Sequence, residues 1–125
     1  MFKENGKAIY LQIVDRIGDE ILAGKLRSAD RLPSVREYAA TVQVNPNTMM
    51  RAYDFLATRG VLFNRRGIGY FLADDAPAIV ADYKRSQLLG DEINETFRQL
   101  SLLGIDPDTL RDRYANYLEQ QNQSK

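Results

Sequence analysis

Cysteine and histidine are both absent from the 125 residues of this chain. Without them there is no disulfide framework, no zinc site of Cys/His type, no Ser-His or Cys-His nucleophile pair, and no haem ligation by either residue. No apolar run approaches the ~18 residues that a membrane span needs. The N-terminal stretch MFKENGKAIY lacks the apolar segment of a secretory signal. Net charge is missing as well, because 17 basic side chains cancel 17 acidic ones. What remains is 44% hydrophobic and 27% charged, a globular composition in a length that suits one domain or a small domain with an appendage. The expectation is a cytoplasmic protein with no membrane partner, no metal and no cofactor.

The cancelled charge hides a local imbalance. Residues 31–72 carry Arg31, Arg36, Arg51, Arg59, Arg65 and Arg66 against Glu37 and Asp54 alone. All six cations are arginine, the side chain best shaped for bidentate contact with phosphates and bases. From residue 76 onward the acids slightly outnumber the bases, which suggests two jobs in one chain. A solvated, salt-bridged surface gives the same count, so the charge alone decides nothing.

Periodicity supplies the geometry. Tyr10, Ile13, Val14, Ile17 and Ile21 recur at steps of three and four, which predicts a first amphipathic helix closed by Gly24. An extended stretch around Arg31-Leu32 follows, enforced by Pro33. Ser34-Val35-Arg36-Glu37 is a capping box opening a short second helix to about Thr41. Asn45 as N-cap with Pro46 at the first helical position opens a third, which Gly60 ends. Two short helices so spaced form a helix-turn-helix. Val61-Leu62-Phe63 and Gly69-Tyr70-Phe71-Leu72, joined by a loop with Arg65 and Arg66, then predict a basic β-hairpin, and the sum is a winged helix.

On the third helix, Met49, Ala52, Tyr53 and Leu56 share one arc at ~100° per residue, and Asn47 and Arg51 fall on the opposite face, with Thr48 at the edge. An exposed first turn with Asn, Thr and Arg matches the needs of a major-groove reader: Asn pairs with adenine, Arg with guanine, and Thr with phosphate or a thymine methyl. The bland alternative is that Asn45 and Thr48 only cap and Arg51 is only solvated; the basic wing behind them favours the reader. Arg65, Arg66 and Gly67 at the hairpin tip suit phosphate contact or minor-groove insertion, although charged tips are also commonplace. Ser34 and Arg36 stand at the start of the second helix, beside free amides that favour an anion; Arg36 otherwise pairs with Glu37 or Asp54.

At these residues the chain resembles the GntR family of bacterial transcription regulators. The likeness lies in Gly24-Lys25-Leu26, in DRLPSVREYAATVQVNPNTMMRAY (30–53) and in RRGIGYFLA (65–73), and it covers about residues 8–73. It implies a winged domain that binds double-stranded palindromic operators as a homodimer, with Arg36, Asn45, Asn47, Thr48 and Arg51 as operator contacts and Arg65, Arg66 and Gly67 as the wing. Met50 stands where many members place an arginine, and Ile68 where a lysine is frequent, so the preferred sequence should differ.

Beyond Asp74-Asp75-Ala76-Pro77, which has the look of a linker, Ile79, Tyr83, Ser86, Gly90, Ile93, Phe97 and Leu100 are spaced 4-3-4-3-4-3. The spacing predicts one long helix of roughly 22–26 residues with a coiled-coil-like seam, ended by Gly104. Asp106-Pro107 opens a last helix with Leu110, Tyr114, Tyr117 and Leu118, and a frayed polar tail from Gln120 to Lys125 closes the chain. Two helices are too few to enclose a pocket of the usual ~300–1,000 Å³, so no effector is required. The short segment resembles the YtrA-like branch, whose two-helix tails dimerise and which often regulates transporter operons. Acids at Asp91, Glu92 and Glu95 read better as a solvated helix face than as a cation site.

The whole expectation is a mainly α protein with a small β-hairpin. Residues 1–74 form the winged DNA-binding domain and residues 75–125 a helical dimerisation segment. The dimer interface is expected at Ile79, Tyr83, Gly90, Ile93, Phe97, Leu100, Leu110, Tyr114 and Leu118. An enzyme is disfavoured because the acids are scattered over helix faces. A winged helix used for protein or RNA contact stays open as the alternative.

Overall fold

The computed structural model describes residues 6–123, so the first five and last two residues of the expected segments lie outside it. Helix α1 (Ile9–Leu22) ends where Gly24, at φ +79°, lets its own amide reach the Ile21 carbonyl and the Lys25 amide reach Glu20, which satisfies the last turn. Helix α2 (Val35–Val42) carries the capping box in full, with the Glu37 amide donating to Ser34 Oγ and the Ser34 amide to Glu37 Oε1, each at 3.1 Å. Gln43 adopts a left-handed turn after it, and helix α3 (Pro46–Thr58) follows at once.

Strands β1 (Leu62–Arg65) and β2 (Gly69–Leu72) pair antiparallel, Leu62 opposite Leu72 and Arg65 opposite Gly69. An isolated hairpin is marginal in water. Here the expected extended stretch before Pro33 supports it: Ala29 and Leu32 donate to the carbonyls of Leu72 and Tyr70, and Leu72 donates to Asp30.

One core joins these elements. Ile13, Val14, Ile17 and Ile21 of α1 pack with Tyr38, Ala39 and Val42 of α2, Met49, Ala52, Tyr53 and Leu56 of α3, and Val61, Leu62 and Leu72 around the hairpin. Each buried Ile, Val, Leu or Met among them contributes about 1.5–3 kcal/mol by leaving water. Apart from the hydroxyls of Tyr38 and Tyr53, no polar or charged side chain among the described residues is buried with them.

Beyond the wing the structure departs from expectation. The segment 74–77 is not a linker. Helix α4 (Ala76–Gln87) starts inside it, and Ala76 and Val80 are buried in the winged core. Proline is compatible with a helix's first turn as well as with a linker, so composition could not separate the two. Gly18 of α1 admits α4 closely, since a Cβ there would meet Val80 Cγ1 and Lys84 Cε at 3.1 Å, and Lys84 pairs with Asp19 at 2.9 Å. Nor is the following helix continuous. A π-turn (Leu88–Glu92) interrupts it, with Gly90 at ψ −121°, before α5 (Ile93–Leu102) resumes. The 4-3 seam therefore breaks at Gly90: Ile79 and Tyr83 pack against the winged core, while Ile93, Phe97 and Leu100 belong to a separate stretch.

One compact unit ends at Lys84 and a second begins at Arg85. In the second, Gly104 closes α5, and helix α6 (Pro107–Gln123) starts with Asp106 Oδ1 accepting from the Thr109 amide at 2.8 Å, as its sequence predicts. The helix runs on through Gln120–Gln123 rather than fraying there. Neither α5 nor α6 contains a buried residue.

Candidate nucleic-acid interface

The first turn of α3 is built by its cap. Asn45 Oδ1 accepts from the Asn47 amide at 2.8 Å, and Pro46 occupies the position where a missing N–H costs least. Met49, Ala52, Tyr53 and Leu56 anchor the inner face, as the angular reading has it, so Asn47, Met50 and Arg51 are left exposed and Thr48 half-buried. The capping alternative for Asn45 is correct as far as the helix goes: its side-chain carbonyl oxygen accepts from the Asn47 amide. Asn47, Thr48 and Arg51 line an open concavity of about 450 Å³ with Ala8, Ile9 and Tyr10.

Arg36 is exposed on the first turn of α2. Its neighbour Glu37 is engaged by Ser34, whose hydroxyl first and amide second hold the carboxyl below its ordinary range. Among the described residues Arg36 makes no ion pair with Glu37 or Asp54. At the wing, Ile68 donates to the Arg65 carbonyl at 2.8 Å to close the turn, and Gly67 takes φ +78°. Phe63 and Phe71 stack at 5.8 Å, and the Arg65 guanidinium lies 5.6 and 5.2 Å from their ring centres. Arg66 and Ile68 are exposed at the tip.

Three residues have roles that the sequence reading missed. Arg31 packs over Gly69, whose absent Cβ would lie 3.0 Å from Arg31 Nε, and so adds a cation at the base of the wing. Arg59, counted with the basic middle, caps α3 with its guanidinium 3.5 Å from the Phe55 ring centre. Tyr10, assigned to the core stripe, is half-buried and holds the Arg51 guanidinium 4.1 Å from its ring centre. Arg51 with Tyr10 and Arg31 with Gly69 join separate elements, so neither pair leaves a spacing signal within one helix; Arg59 and Phe55 stand four apart, a contact that helical spacing could have shown. No cluster of three or more His, Cys, Asp or Glu fit to hold a metal occurs among the described residues, and no helix there is long and apolar enough to cross a membrane.

A capped helix-turn-helix with an exposed Asn/Arg face and an arginine-tipped hairpin is a winged DNA-binding unit, and residues 9–72 match the family described as bacterial regulatory proteins, gntR family. The chain belongs to the GntR family. It is a DNA-binding transcription regulator, in a family of regulators rather than enzymes. It is 33% identical to the HTH-type transcriptional regulator YhcF of Bacillus subtilis over 93% of this chain and 94% of that one. Identity to the HTH-type transcriptional repressor YtrA of the same organism is 28%, over 83% and 79%. A solved GntR-family regulator from Bacteroides thetaiotaomicron superposes with a TM-score of 0.79 at 44% identity, covering 90% of this chain and 99% of that one. Likeness to YhcF and YtrA along most of the length assigns the chain to the short YtrA-like branch.

Proposed function

We propose that this chain is a homodimeric repressor that binds a palindromic operator, with α3 in the major groove, the wing on the flanking backbone, and the residues beyond Lys84 holding the dimer. Asn47, Thr48 and Arg51 are the base-reading side chains of this proposal. Ser34, Arg36, Asn45, Arg65, Arg66 and Gly67 contact phosphate or the minor groove. The name of the relative YtrA supports repression, and the branch resemblance supports a transporter operon as the target.

The observation that carries the dimer is that the second unit has no interior. Leu102, Leu103 and Tyr114 are 68%, 71% and 64% exposed, and Phe97, Leu110 and Leu118 are exposed beside them. Apolar surface of this extent on so few residues marks a contact surface. A two-fold mate covers it and sets two recognition helices on one side of a duplex, one helical turn (about 34–36 Å) apart. The interface of this proposal is Gly90, Ile93, Phe97, Leu100, Leu110, Tyr114 and Leu118; Ile79 and Tyr83 keep their place in the winged core.

Selection of bound duplexes from a random pool, with sedimentation of the wild-type chain at micromolar concentration, tests both halves. Expected are a palindrome and a dimer. Recovery without sequence preference, or preferential capture of RNA, would replace the operator reading with the general winged-module one.

A further inference from the structure

Arg51 bears its charge on the exposed face of α3, yet the group that it meets is an aromatic ring and not a carboxylate. Its Cζ lies 4.1 Å from the centre of the Tyr10 ring. Tyr10, in the first turn of α1, is itself held: the Phe55 ring meets it at 6.2 Å with the planes at 63°. Phe55 stands one helical turn beyond Arg51 and is fixed in turn by Tyr83 at 5.5 Å and by the Arg59 guanidinium at 3.5 Å. Tyr10 is thus a braced wall of the concavity that Asn47, Thr48 and Arg51 line.

A cation over a ring face spends none of its N–H donors, so the guanidinium keeps its bidentate fork for a base edge. It also surrenders rotamer freedom before binding, a cost otherwise met in the complex. We propose that Tyr10 is a positioning residue for base readout: it presets Arg51 for the major groove and thereby governs discrimination at the base pair that Arg51 reads. This inference rests on the operator reading above.

The test compares wild type, Tyr10→Phe and Tyr10→Leu on the selected duplex, on the same duplex with the Arg51-dependent base pair exchanged, and on unrelated DNA. Tyr10→Phe should retain wild-type discrimination, and Tyr10→Leu should lose about two- to five-fold of it with nonspecific affinity unchanged. In an Arg51→Ala background Tyr10→Leu should have no further effect on discrimination. A loss by Tyr10→Phe on every duplex would make the hydroxyl a phosphate contact and overturn the proposal. A gain in affinity by Tyr10→Leu would mean that the ring withholds Arg51, and would overturn it too. A readout without DNA separates this failure from failure of the operator reading. The Arg51 Nε–H resonance of the free protein should carry a ring-current shift in wild type and Tyr10→Phe that Tyr10→Leu lacks. Equal shifts in all three sink the positioning role even if operator binding stands.

Discussion

The hydroxyl of Tyr53 donates to the carbonyl oxygen of Pro33 at 2.6 Å, tying α3 to the turn that opens α2. The ring is fully buried, meeting Tyr38 and Tyr70 edge-on at 6.4 and 5.2 Å. Burial pushes its phenol above the ordinary tyrosine range, which favours the protonated form that donates this bond. Tyr53→Phe retains the ring contacts and strands the Pro33 carbonyl. The expected cost is about 1 kcal/mol, read as a lower urea midpoint at unchanged slope. Tyr53→Ala should cost about 3–5 kcal/mol. Equal losses would show that the hydroxyl, not the ring, carries the site.

The capping box of α2 is expected to lose strength in acid. Hydrogen bonding to Ser34 depresses the Glu37 carboxyl below its ordinary value of 4.5. Its folded value is the lower one, so the unfolded chain takes up the proton first. The contribution is therefore complete above 4.5 and is lost as pH falls through the folded value. Ser34→Ala should cost about 1 kcal/mol near neutral pH. The gap between variant and wild type should narrow in acid, and a gap independent of pH would dismiss the Glu37 half of the box.

These caps were legible because their chemistry is local. Ser34 and Glu37, Asn45 and Pro46, and Asp106 and Thr109 lie within one turn of each other, and the burial arc of α3 follows from helix geometry alone. The break at Gly90 was not legible, because a 4-3 spacing counts residues and is blind to ψ. The inclusion of Ala76 and Val80 in the winged core depends on α1 offering Gly18 at the crossing, a relation between residues more than fifty positions apart. Of the candidate site, the exposed residues of α3 and the wing were readable. Tyr10 against Arg51 and Arg31 over Gly69 were not, since each needs two elements to be brought together first.

Gly69 opens β2 at φ +141°, and a Cβ would press on Arg31 Nε at 3.0 Å. Gly69→Ala should cost about 1–3 kcal/mol through the backbone conformation alone, and displace Arg31 as well. Gly67 also has a positive φ, but open space surrounds it, so Gly67→Ala should be the milder change. Urea midpoints of the two variants check the order, and the reverse order would refute the Arg31 contact.

Arginines of the two elements proposed to contact DNA should fail differently. Arg51→Ala should cost about 1–3 kcal/mol on the selected duplex and relax preference at one base pair per half-site. Arg65→Ala with Arg66→Ala should weaken every duplex alike and flatten the dependence of affinity on salt, since fewer counterions are released. Titrations at several salt concentrations separate the two, and an unchanged slope in the double variant would remove the wing from the phosphate backbone.

Phe97 offers the sharpest test of the dimer because it contributes to no buried cluster of its own unit. It is 46% exposed on α5, beside Leu100, Ile105 and Leu110 around the turn into α6. In a lone chain Phe97→Asp would exchange an exposed ring for an exposed charge, which costs little. Across a two-fold interface the same change places an unpaired carboxylate in apolar surroundings on both mates, and such a charge is expelled rather than accommodated. The variant should therefore sediment as a monomer with the thermal transition of the winged unit intact. Affinity for the palindrome should fall steeply while affinity for a single half-site stays near wild type, because the second contact is no longer held at high effective concentration. A Phe97→Asp chain that remains dimeric would move the interface elsewhere. A wild-type chain that is monomeric at micromolar concentration would end both the interface and the two-half-site operator.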